Sequence, residues 1–275
     1  MRDREQLHDV LVEGRFDRRR VTVRHFPKGV SLSKEEERYI QKQWEQFVKA
    51  QIASHSESTP RPYSGKLFRL LDFRVSDSTL QMSLGDVSFD EYVVSKTAEF
   101  VKRFGDIKAV PVAVVAVVTT SDDCLVLGEG RVGTEQIGMP AGCMEREDPI
   151  THEELSPHPF DQMERELTEE TGVHAEDIQA MTCLGILGHV EPYVVFDAKL
   201  RITFRALVHE RTPRNSEFRH FFSIESDPDS LRSCVLDKEG IIAMHCLSSL
   251  LLWGKYKFEG SWFEALVAQL GSLRR

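Results

Sequence analysis

The longest apolar run of the chain, AVPVAVVAVVTT at 109–120, is nearly continuous and rich in β-branched residues. A strand covered on both faces of a sheet has this pattern, whereas a strand with one wet face alternates apolar and polar residues. Other segments of β-rich or partly alternating character predict further strands: CLVLGEG (124–130), EQIGMPAG (135–142), CLGILGHV (183–190), YVVFDAKLRITFRALVH (193–209) and FRHFFSIE (218–225).

A helical pattern marks segment 33–52, SKEEERYIQKQWEQFVKAQI, because Ile40, Trp44 and Phe47 recur at intervals of three and four. Ser33 is placed to cap this helix, and Glu36 stands at the capping-box spacing. Two helices are predicted near the end of the chain, KEGIIAMHCLSSLLLWGKY (238–256) and SWFEALVAQLGSL (261–273). Strands interleaved with helices predict an α/β domain with helices on both faces of a mixed sheet.

The first 106 residues are interpreted as an α+β region that packs on the larger domain. Its strands are predicted in KLFRLLDFRV (66–75) and TLQMSLGDV (79–87), and a helix or loop-helix in SFDEYVVSKTAEFVKRFG (88–105). A patch rich in Ser and Pro, SHSESTPRPYSG (54–65), precedes these strands. We therefore divide the chain into an N-terminal α+β region, 1–106, and a main domain, 107–275.

Composition narrows the classes of function. The chain is 41% hydrophobic and 29% charged, as in globular proteins, and its net charge of −9 gives no basic footprint for nucleic acid. Its apolar runs are too short to cross a bilayer, and the charged first residues do not resemble a signal peptide. The five cysteines form no CxxC pair, which disfavours structural zinc and disulfides. We expect a cytoplasmic protein that binds neither nucleic acid nor membranes.

Segment 159–173, PFDQMERELTEETGV, predicts an amphipathic helix from about Phe160 to Thr171, which Gly172 ends as a left-handed C-cap. Its carboxylates at helical spacing project from one side: Glu166, Glu169 and Glu170. Such like charges repel by a few tenths of a kcal/mol per pair, and a divalent cation bound through oxygen would offset this. From these residues alone, a solvated acidic face remains the alternative.

The order of residues in this helix resembles a known signature. RELTEETGV (165–173) matches R-E-U-x-E-E-x-G-U, where U is aliphatic, at every fixed position. This is the second half of the Nudix box, and MPAG (139–142) resembles the strand and loop that carry the first glycine of the box, here Gly142. The resemblance implies an α/β/α sandwich around a mixed sheet. It also implies a hydrolase that cleaves a nucleoside diphosphate linked to another group.

The first half of the box departs from the family pattern. The box places its arginine 14 positions after its glycine, but Arg165 follows Gly142 by 23 positions, so nine residues are inserted. Pro157 stands where the box has a glutamate, and Ala141 replaces the first glycine of the usual pair. That glutamate orients the box arginine. We therefore predict that a glutamate of the inserted loop, Glu153 or Glu154, contacts Arg165 or the metal cluster.

The resemblance implies a role for each matched residue. The implied metal ligands are Glu166, Glu169, Glu170 and the carbonyl of Ala141. Glu169 and Arg165 are the implied catalytic residues of the box, with Arg165 as the anchor of the helix, and Gly142 borders the substrate. An all-oxygen site favours Mg²⁺, with Mn²⁺ as the alternative. The general base of the family often lies outside the box, and our candidates are Glu217 and, after it, Glu191.

The N-terminal segments FDRRRV (16–21), SGKLFRL (64–70) and SLGDVSFDEYVVS (83–95) resemble the nucleotide-sugar diphosphatase branch, the UDP-glucose and GDP-mannose type. That branch implies hydrolysis of a nucleotide sugar to a nucleoside monophosphate and a sugar phosphate. The alternatives are ADP-ribose, a dinucleotide polyphosphate or a nucleotide coenzyme as the small-molecule substrate. A further alternative is a Nudix-like module that binds a nucleotide without cleaving it; the three glutamates kept in the second half of the box favour catalysis, and Pro157 in the first half favours the binding module. The oligomeric state stays open.

Overall fold

The computed structural model describes residues 9–54, 64–130, 136–146, 158–188, 191–211, 218–258 and 260–273. Its strands are β1 (Asp9–Phe16), β2 (Val21–His25), β3 (Lys66–Ser76), β4 (Thr79–Ser88), β5 (Ala113–Thr119), β6 (Cys124–Gly130), β7 (Ile137–Gly138), β8 (Ala141–Cys143), β9 (Ile178–Gly188), β10 (Tyr193–Leu200) and β11 (Phe218–Glu225). Its α-helices are α1 (Lys34–Ser54), α2 (Phe89–Ser95), α3 (Ala98–Phe104), α4 (Pro159–Thr171), α5 (Phe204–Ala206), α6 (Pro228–Lys238), α7 (Met244–Lys257) and α8 (Gly260–Leu273).

The main sheet has the strand order β1-β9-β10-β5-β6-β11, with β7 paired to β6 and β8 paired to β5. Strands β10 and β5 run parallel, and the other neighbouring pairs run antiparallel, so the sheet is mixed. All seven residues of β5 are buried, as the continuous apolar run predicts. The predicted α/β class with a mixed sheet is confirmed.

Two layers cover the main sheet. One face of β5 packs, through Val114 and Ala116, in a core that includes residues of α4 and of a three-stranded sheet, β2-β4-β3. The other face packs, through Val115 and Val117, in a second core with α6, α7 and α8. The Trp253 indole of α7 also donates a hydrogen bond to Asp197 of β10 at 3.0 Å. The arrangement is helix, sheet, helix, and it leaves α4 fixed on one face of the sheet.

The N-terminal residues take part in both sheets. Strand β1 forms the edge of the main sheet beside β9, although it falls within the predicted region 1–106. Helices α1, α2 and α3 meet in a small core around Ile40, Val94 and Phe100, against which Trp44 packs. Trp44 therefore has a packing role in this structure. The division of the chain near residue 106 stays a prediction.

One prediction about secondary structure was wrong, and one helix was not predicted. The strand predicted over 193–209 ends at Leu200, because the Thr203 hydroxyl accepts the Ala206 N–H (3.2 Å) and begins α5, which a π-helical turn at Leu207–Arg211 follows. Helix α6 was not predicted, although Asp227 as N-cap and Pro228 in the first turn signal it. In the described part of the chain, no helix is both long and apolar enough to span a membrane.

Candidate active site

Helix α4 carries the acidic signature, and its ends have identifiable caps. The ring Nδ1 of His158 accepts the Phe160 N–H at 3.4 Å, and Pro159 occupies the first turn. At the other end Gly172 adopts φ 73°, a left-handed conformation that favours glycine. The predicted apolar stripe, Phe160, Met163 and Leu167, is buried in the main core. The opposite side of α4 therefore has one fixed orientation relative to the sheet.

The carboxylate of Glu166 occupies the space above Gly142 of strand β8. A Cβ atom built on Gly142 would overlap the Glu166 carboxylate, so no other amino acid fits there without displacing it. Gly142 pairs with Val114 of β5, which fixes the backbone of this strand in the sheet. The absence of a side chain at Gly142 thus allows the Glu166 carboxylate to lie where it does.

Glu170 contacts the same strand at the preceding residue. Its Oε2 accepts the N–H of Ala141 at 3.1 Å, and its side chain is buried. The Ala116 N–H of β5 donates to the Pro140 carbonyl, and the Met144 N–H donates to the carbonyl of Val112, just before β5. Since these bonds alternate along a strand, the N–H and C=O groups of Ala141 point away from β5. The Ala141 carbonyl consequently lies on the side of the strand that Glu170 occupies. The structure brings together Glu166, Glu170, Ala141 and Gly142.

Glu166 is a partly buried carboxylate with few donors. Its pKa is raised to about 7: burial raises it most, the amide of Gln162 lowers it through a hydrogen bond of 2.6 Å, and the charge of Glu169 also raises it. Glu169 lies apart, with 63% of its side chain exposed. Of the three box glutamates, two therefore face β8, and the third lies on the exposed flank of the helix.

Arg165 has an acidic partner that the sequence did not indicate. Its Nη2 donates to Glu145 at 2.8 Å and to the Gln162 carbonyl oxygen at 3.0 Å, and its Nε lies 3.9 Å from Glu169. Glu145 follows Gly142 by only three residues, where the family pattern has no acid, so no motif spacing identifies it. The predicted partners, Glu153 and Glu154, lie outside the described residues together with Pro157. Their contact with Arg165 or a metal stays a prediction.

A pocket of about 270 Å³ opens beside β8. Backbone and side chains from several elements border it, including Ala141, Gly142, Glu170, Glu191, Tyr193 and Phe218. Its described lining contains two carboxylates and neither lysine nor arginine. An anionic ligand in this pocket would therefore need a bound cation, or a positive group outside the described lining, to neutralise its charge. Among the described residues, no three acidic, histidine or cysteine side chains are grouped closely enough to hold a metal.

Glu191, the second candidate for the general base, is held by hydrogen bonds at this pocket. Desolvation raises its pKa, but hydrogen bonds from Lys96, Tyr92 and Tyr193 outweigh burial and lower the pKa below its usual value. A carboxylate in that state accepts a proton poorly. The first candidate, Glu217, lies outside the described residues, directly before Phe218, whose ring lines the pocket.

The sequence matches no protein-family model and no curated protein. The fold is similar to solved Nudix hydrolases. A NUDIX hydrolase from Nitrosomonas europaea has 16% identity over 54% of this chain and 90% of that one, with a TM-score of 0.35. A C. elegans Ap4A hydrolase has 15% identity over 54% of this chain and 97% of that one, with a TM-score of 0.34.

A third solved structure, a NUDIX-family hydrolase from Clostridium perfringens, has 14% identity over 50% of this chain and 91% of that one, with a TM-score of 0.34. At such identities and TM-scores, the similarity assigns no activity and no substrate to this chain. A proposal about function therefore depends on the residues around β8 and α4.

Proposed function

We propose that this protein is a metal-dependent, Nudix-type hydrolase that cleaves the diphosphate bridge of a nucleoside diphosphate linked to another group. The observation that carries the proposal is the close packing of Glu166 and Glu170 on the Ala141–Gly142 backbone. Two helix carboxylates four residues apart lie against this backbone: Glu166 fills the space that a side chain at Gly142 would take, and Glu170 accepts the Ala141 N–H. The residues of the signature that are far apart in sequence thus meet at one place, beside a pocket.

The candidate metal-ligand atoms around β8 fit a hard divalent cation. They are oxygen atoms, which Mg²⁺ and Mn²⁺ prefer, and the described lining of the pocket beside them contains neither lysine nor arginine. The residues that would hold the metal are Glu166, Glu170 and the Ala141 carbonyl, and Glu169 would join them by turning in from the exposed flank of α4. When bound, the metal supplies charge neutralisation for the diphosphate and activation of a water. Partly buried carboxylates with few donors are stabilised by such an ion.

Other residues of the chain orient these groups. Arg165, paired with Glu145, holds Gln162, whose amide in turn donates to Glu166. This chain of hydrogen bonds fixes the direction of the Glu166 carboxylate, a requirement for preorganised charge at a reacting phosphate. Gly142 borders the pocket and leaves space for the substrate beside the carboxylates. We assign the removal of a proton from the attacking water to Glu217, next to the pocket residue Phe218.

A nucleotide sugar is the proposed substrate class, supported by the resemblance of the N-terminal segments to nucleotide-sugar diphosphatases. Within the N-terminal segments, Arg18 pairs with Asp161 and with Glu164 (3.0 Å) on α4. The N-terminal arginine thereby supports the acidic helix. ADP-ribose, dinucleotide polyphosphates and nucleotide coenzymes are the competing substrates, and a non-catalytic binding module is the competing class.

A product-release assay tests the proposal. Purified protein is incubated with UDP-glucose, GDP-mannose, ADP-ribose and a dinucleotide polyphosphate, each with Mg²⁺ or Mn²⁺, and nucleoside monophosphate release is measured. We expect release from a nucleotide sugar, its loss with EDTA and its return with added Mg²⁺. Full activity in a metal-stripped, chelated sample would contradict the metal site. If no diphosphate-linked nucleotide is cleaved, the class is a binding module and the hydrolase proposal is wrong.

A further inference from the structure

The carboxylate of Glu191 lies at the pocket that Glu170 also lines, but residues of the N-terminal region hold it. Its Oε1 accepts hydrogen bonds from the Tyr92 hydroxyl and the Lys96 ammonium, both carried by or next to α2. Its Oε2 accepts the Tyr193 hydroxyl of β10 at 2.8 Å. Three donors from two sides therefore fix the position of this carboxylate.

The hydrogen-bonding capacity of Glu191 is not exhausted by these donors. A carboxylate offers about four acceptor directions, and in the part of the chain that the structure describes three donors occupy three of them. Because the side chain is 20% exposed and borders the pocket, the remaining direction is accessible to a ligand there. Glu191 thus presents one acceptor position with little rotational freedom.

The charge around Glu191 decides which part of a ligand it suits. Cys143 and His245 face it from β8 and α7. Burial raises the pKa of Cys143 to about 12 and lowers the pKa of His245, so both groups are neutral near pH 7. The tyrosines Tyr92 and Tyr193 have raised pKa values, chiefly through burial, and are also neutral. Among the described groups around it, Lys96 supplies the positive charge, and the Glu191 carboxylate stays ionised.

An ionised carboxylate repels a phosphate and attracts a hydroxyl or an N–H group. We therefore expect the phosphates of a nucleotide to lie near the proposed cation-binding oxygens around Gly142. A hydroxyl or N–H group of the same ligand then binds Glu191. Tyr193 stacks on the His245 ring at 5.1 Å with an interplanar angle of 10°, which makes the wall beside Glu191 flat and rigid.

We propose that Glu191 is the hydrogen-bond acceptor for a hydroxyl or N–H group on the non-phosphate part of the ligand, and that Tyr92 and Lys96 position it. The inference rests on the proposed function, since it takes the ligand to be a diphosphate-linked nucleotide. It makes the N-terminal region part of substrate recognition: α2 sets the orientation of an acceptor in a pocket formed by the main domain.

Binding measurements with three probes test this inference. UDP-glucose, UDP and inorganic pyrophosphate are titrated calorimetrically into the full chain with Ca²⁺ present, and KM and kcat are measured with Mg²⁺ for UDP-glucose. The variants are Tyr92→Phe and Lys96→Met, with Lys96→Arg as the conservative variant that retains the charge. Glu99→Gln, an exposed carboxylate on the neighbouring helix α3, is the matched control. Circular dichroism and thermal unfolding check that each variant folds.

We expect Tyr92→Phe and Lys96→Met to weaken UDP-glucose binding about tenfold, the effect of misplacing one charge-assisted hydrogen bond, and to leave pyrophosphate binding unchanged. KM rises with kcat nearly constant, and Lys96→Arg restores most of the affinity. A matching loss for UDP places the recognised donor in the nucleoside, and a loss for UDP-glucose alone places it in the sugar.

Equal losses for pyrophosphate would overturn the inference, because Lys96 would then act on phosphates. Unchanged UDP-glucose affinity in both variants, or no binding of UDP-glucose and UDP by the wild type, would overturn it as well. These outcomes are separate from a failure of the proposed function. A protein that binds UDP-glucose with this dependence on Tyr92 and Lys96, but never cleaves it, keeps the recognition site and loses only the hydrolase activity.

Discussion

Glu166 and Glu191 are both partly buried carboxylates near one pocket, and the protein shifts their pKa values in opposite directions. Glu166 has its pKa raised to about 7, chiefly because burial removes water and Gln162 supplies a single amide donor. Glu191 is also desolvated, but Lys96, Tyr92 and Tyr193 donate to it, and its pKa falls. Burial alone therefore does not decide the state of a carboxylate; the number and charge of its donors do.

The opposite pKa shifts of Glu166 and Glu191 indicate that the two carboxylates serve different chemistry. A desolvated carboxylate with a raised pKa gains much from a bound cation, which is what we propose for Glu166, beside Glu170. A carboxylate whose charge is already compensated by Lys96 gains little from a metal and serves as a fixed acceptor. One small pocket thus combines oxygen atoms suited to a phosphate-bound cation with an acceptor suited to a sugar or a base.

The largest expected effect is that of Glu170→Gln, which replaces one of the two α4 carboxylates at β8 by a neutral amide. The amide keeps an oxygen for the Ala141 N–H, so the fold should survive. We expect kcat to fall about 100-fold or more, as when one preorganised electrostatic group is removed from an active site. Glu164→Gln, an exposed carboxylate on the same helix, is the control. Near-normal turnover in Glu170→Gln would show that the carboxylate does not act on the substrate or a metal.

Gly142→Ala tests the close approach of Glu166 to β8. The new methyl group overlaps the Glu166 carboxylate, so either the carboxylate or the strand must move. Because the overlapping atoms are the end of a flexible side chain, we expect the Glu166 carboxylate to move: turnover should fall about tenfold or more, while the free energy of unfolding in urea changes by less than about 1 kcal/mol. Gly271→Ala is the matched control, because its Cβ meets nothing within 4 Å. A Gly142→Ala protein with wild-type stability and turnover would contradict the described packing.

Glu145→Gln tests the hydrogen-bond chain that orients Glu166. The variant removes the charge that Arg165 contacts at 2.8 Å and leaves the side-chain shape nearly unchanged. We expect about a tenfold loss of kcat, typical of residues that support a metal ligand indirectly. The double variant Glu153→Ala, Glu154→Ala is measured beside it. A larger effect in the double variant than in Glu145→Gln would assign the anchoring of Arg165 to the inserted loop.

Asp177 provides a reference carboxylate away from the pocket. Desolvation raises the pKa of Asp177. The His174 N–H (3.1 Å) and the Arg211 guanidinium (3.0 Å) lower this pKa by more, so the net shift is downward. Its stabilising effect is therefore complete above the usual pKa of about 3.9 and is lost as the pH falls through the folded value. We expect Asp177→Asn to lower the free energy of unfolding by about 1–2 kcal/mol at pH 7.

Urea unfolding at pH 7, 5 and 3 checks this sign. The difference between wild type and Asp177→Asn should be similar at pH 7 and pH 5 and should narrow at pH 3, where the unfolded carboxyl binds a proton. Asp72→Asn, an exposed aspartate on β3, should show no such difference. A gap that widens toward pH 3 would show that the pKa of Asp177 is raised in the folded protein.

The helix that carries the signature was largely determined by local sequence. Its predicted range, Phe160 to Thr171, is one residue short of the observed Pro159–Thr171, and the positive φ of Gly172 was expected from its position. Likewise, the capping box of α1 forms as predicted, because the Ser33 N–H donates to Glu36 at 2.6 Å. Capping and the helical apolar stripe act within a few residues, so the sequence alone specifies them.

The tertiary structure decided what these local elements face. Strand β8 has three residues, too few for an apolar pattern, and its pairing with β5 is what places Gly142 beneath Glu166. Glu145 contacts Arg165 because the fold brings the residues just after β8 close to α4. The donors to Glu191 from α2 lie 95 and 99 residues away in sequence. Such contacts depend on sheet register and helix docking, which no short segment encodes, because many distant side chains must pack together to define them.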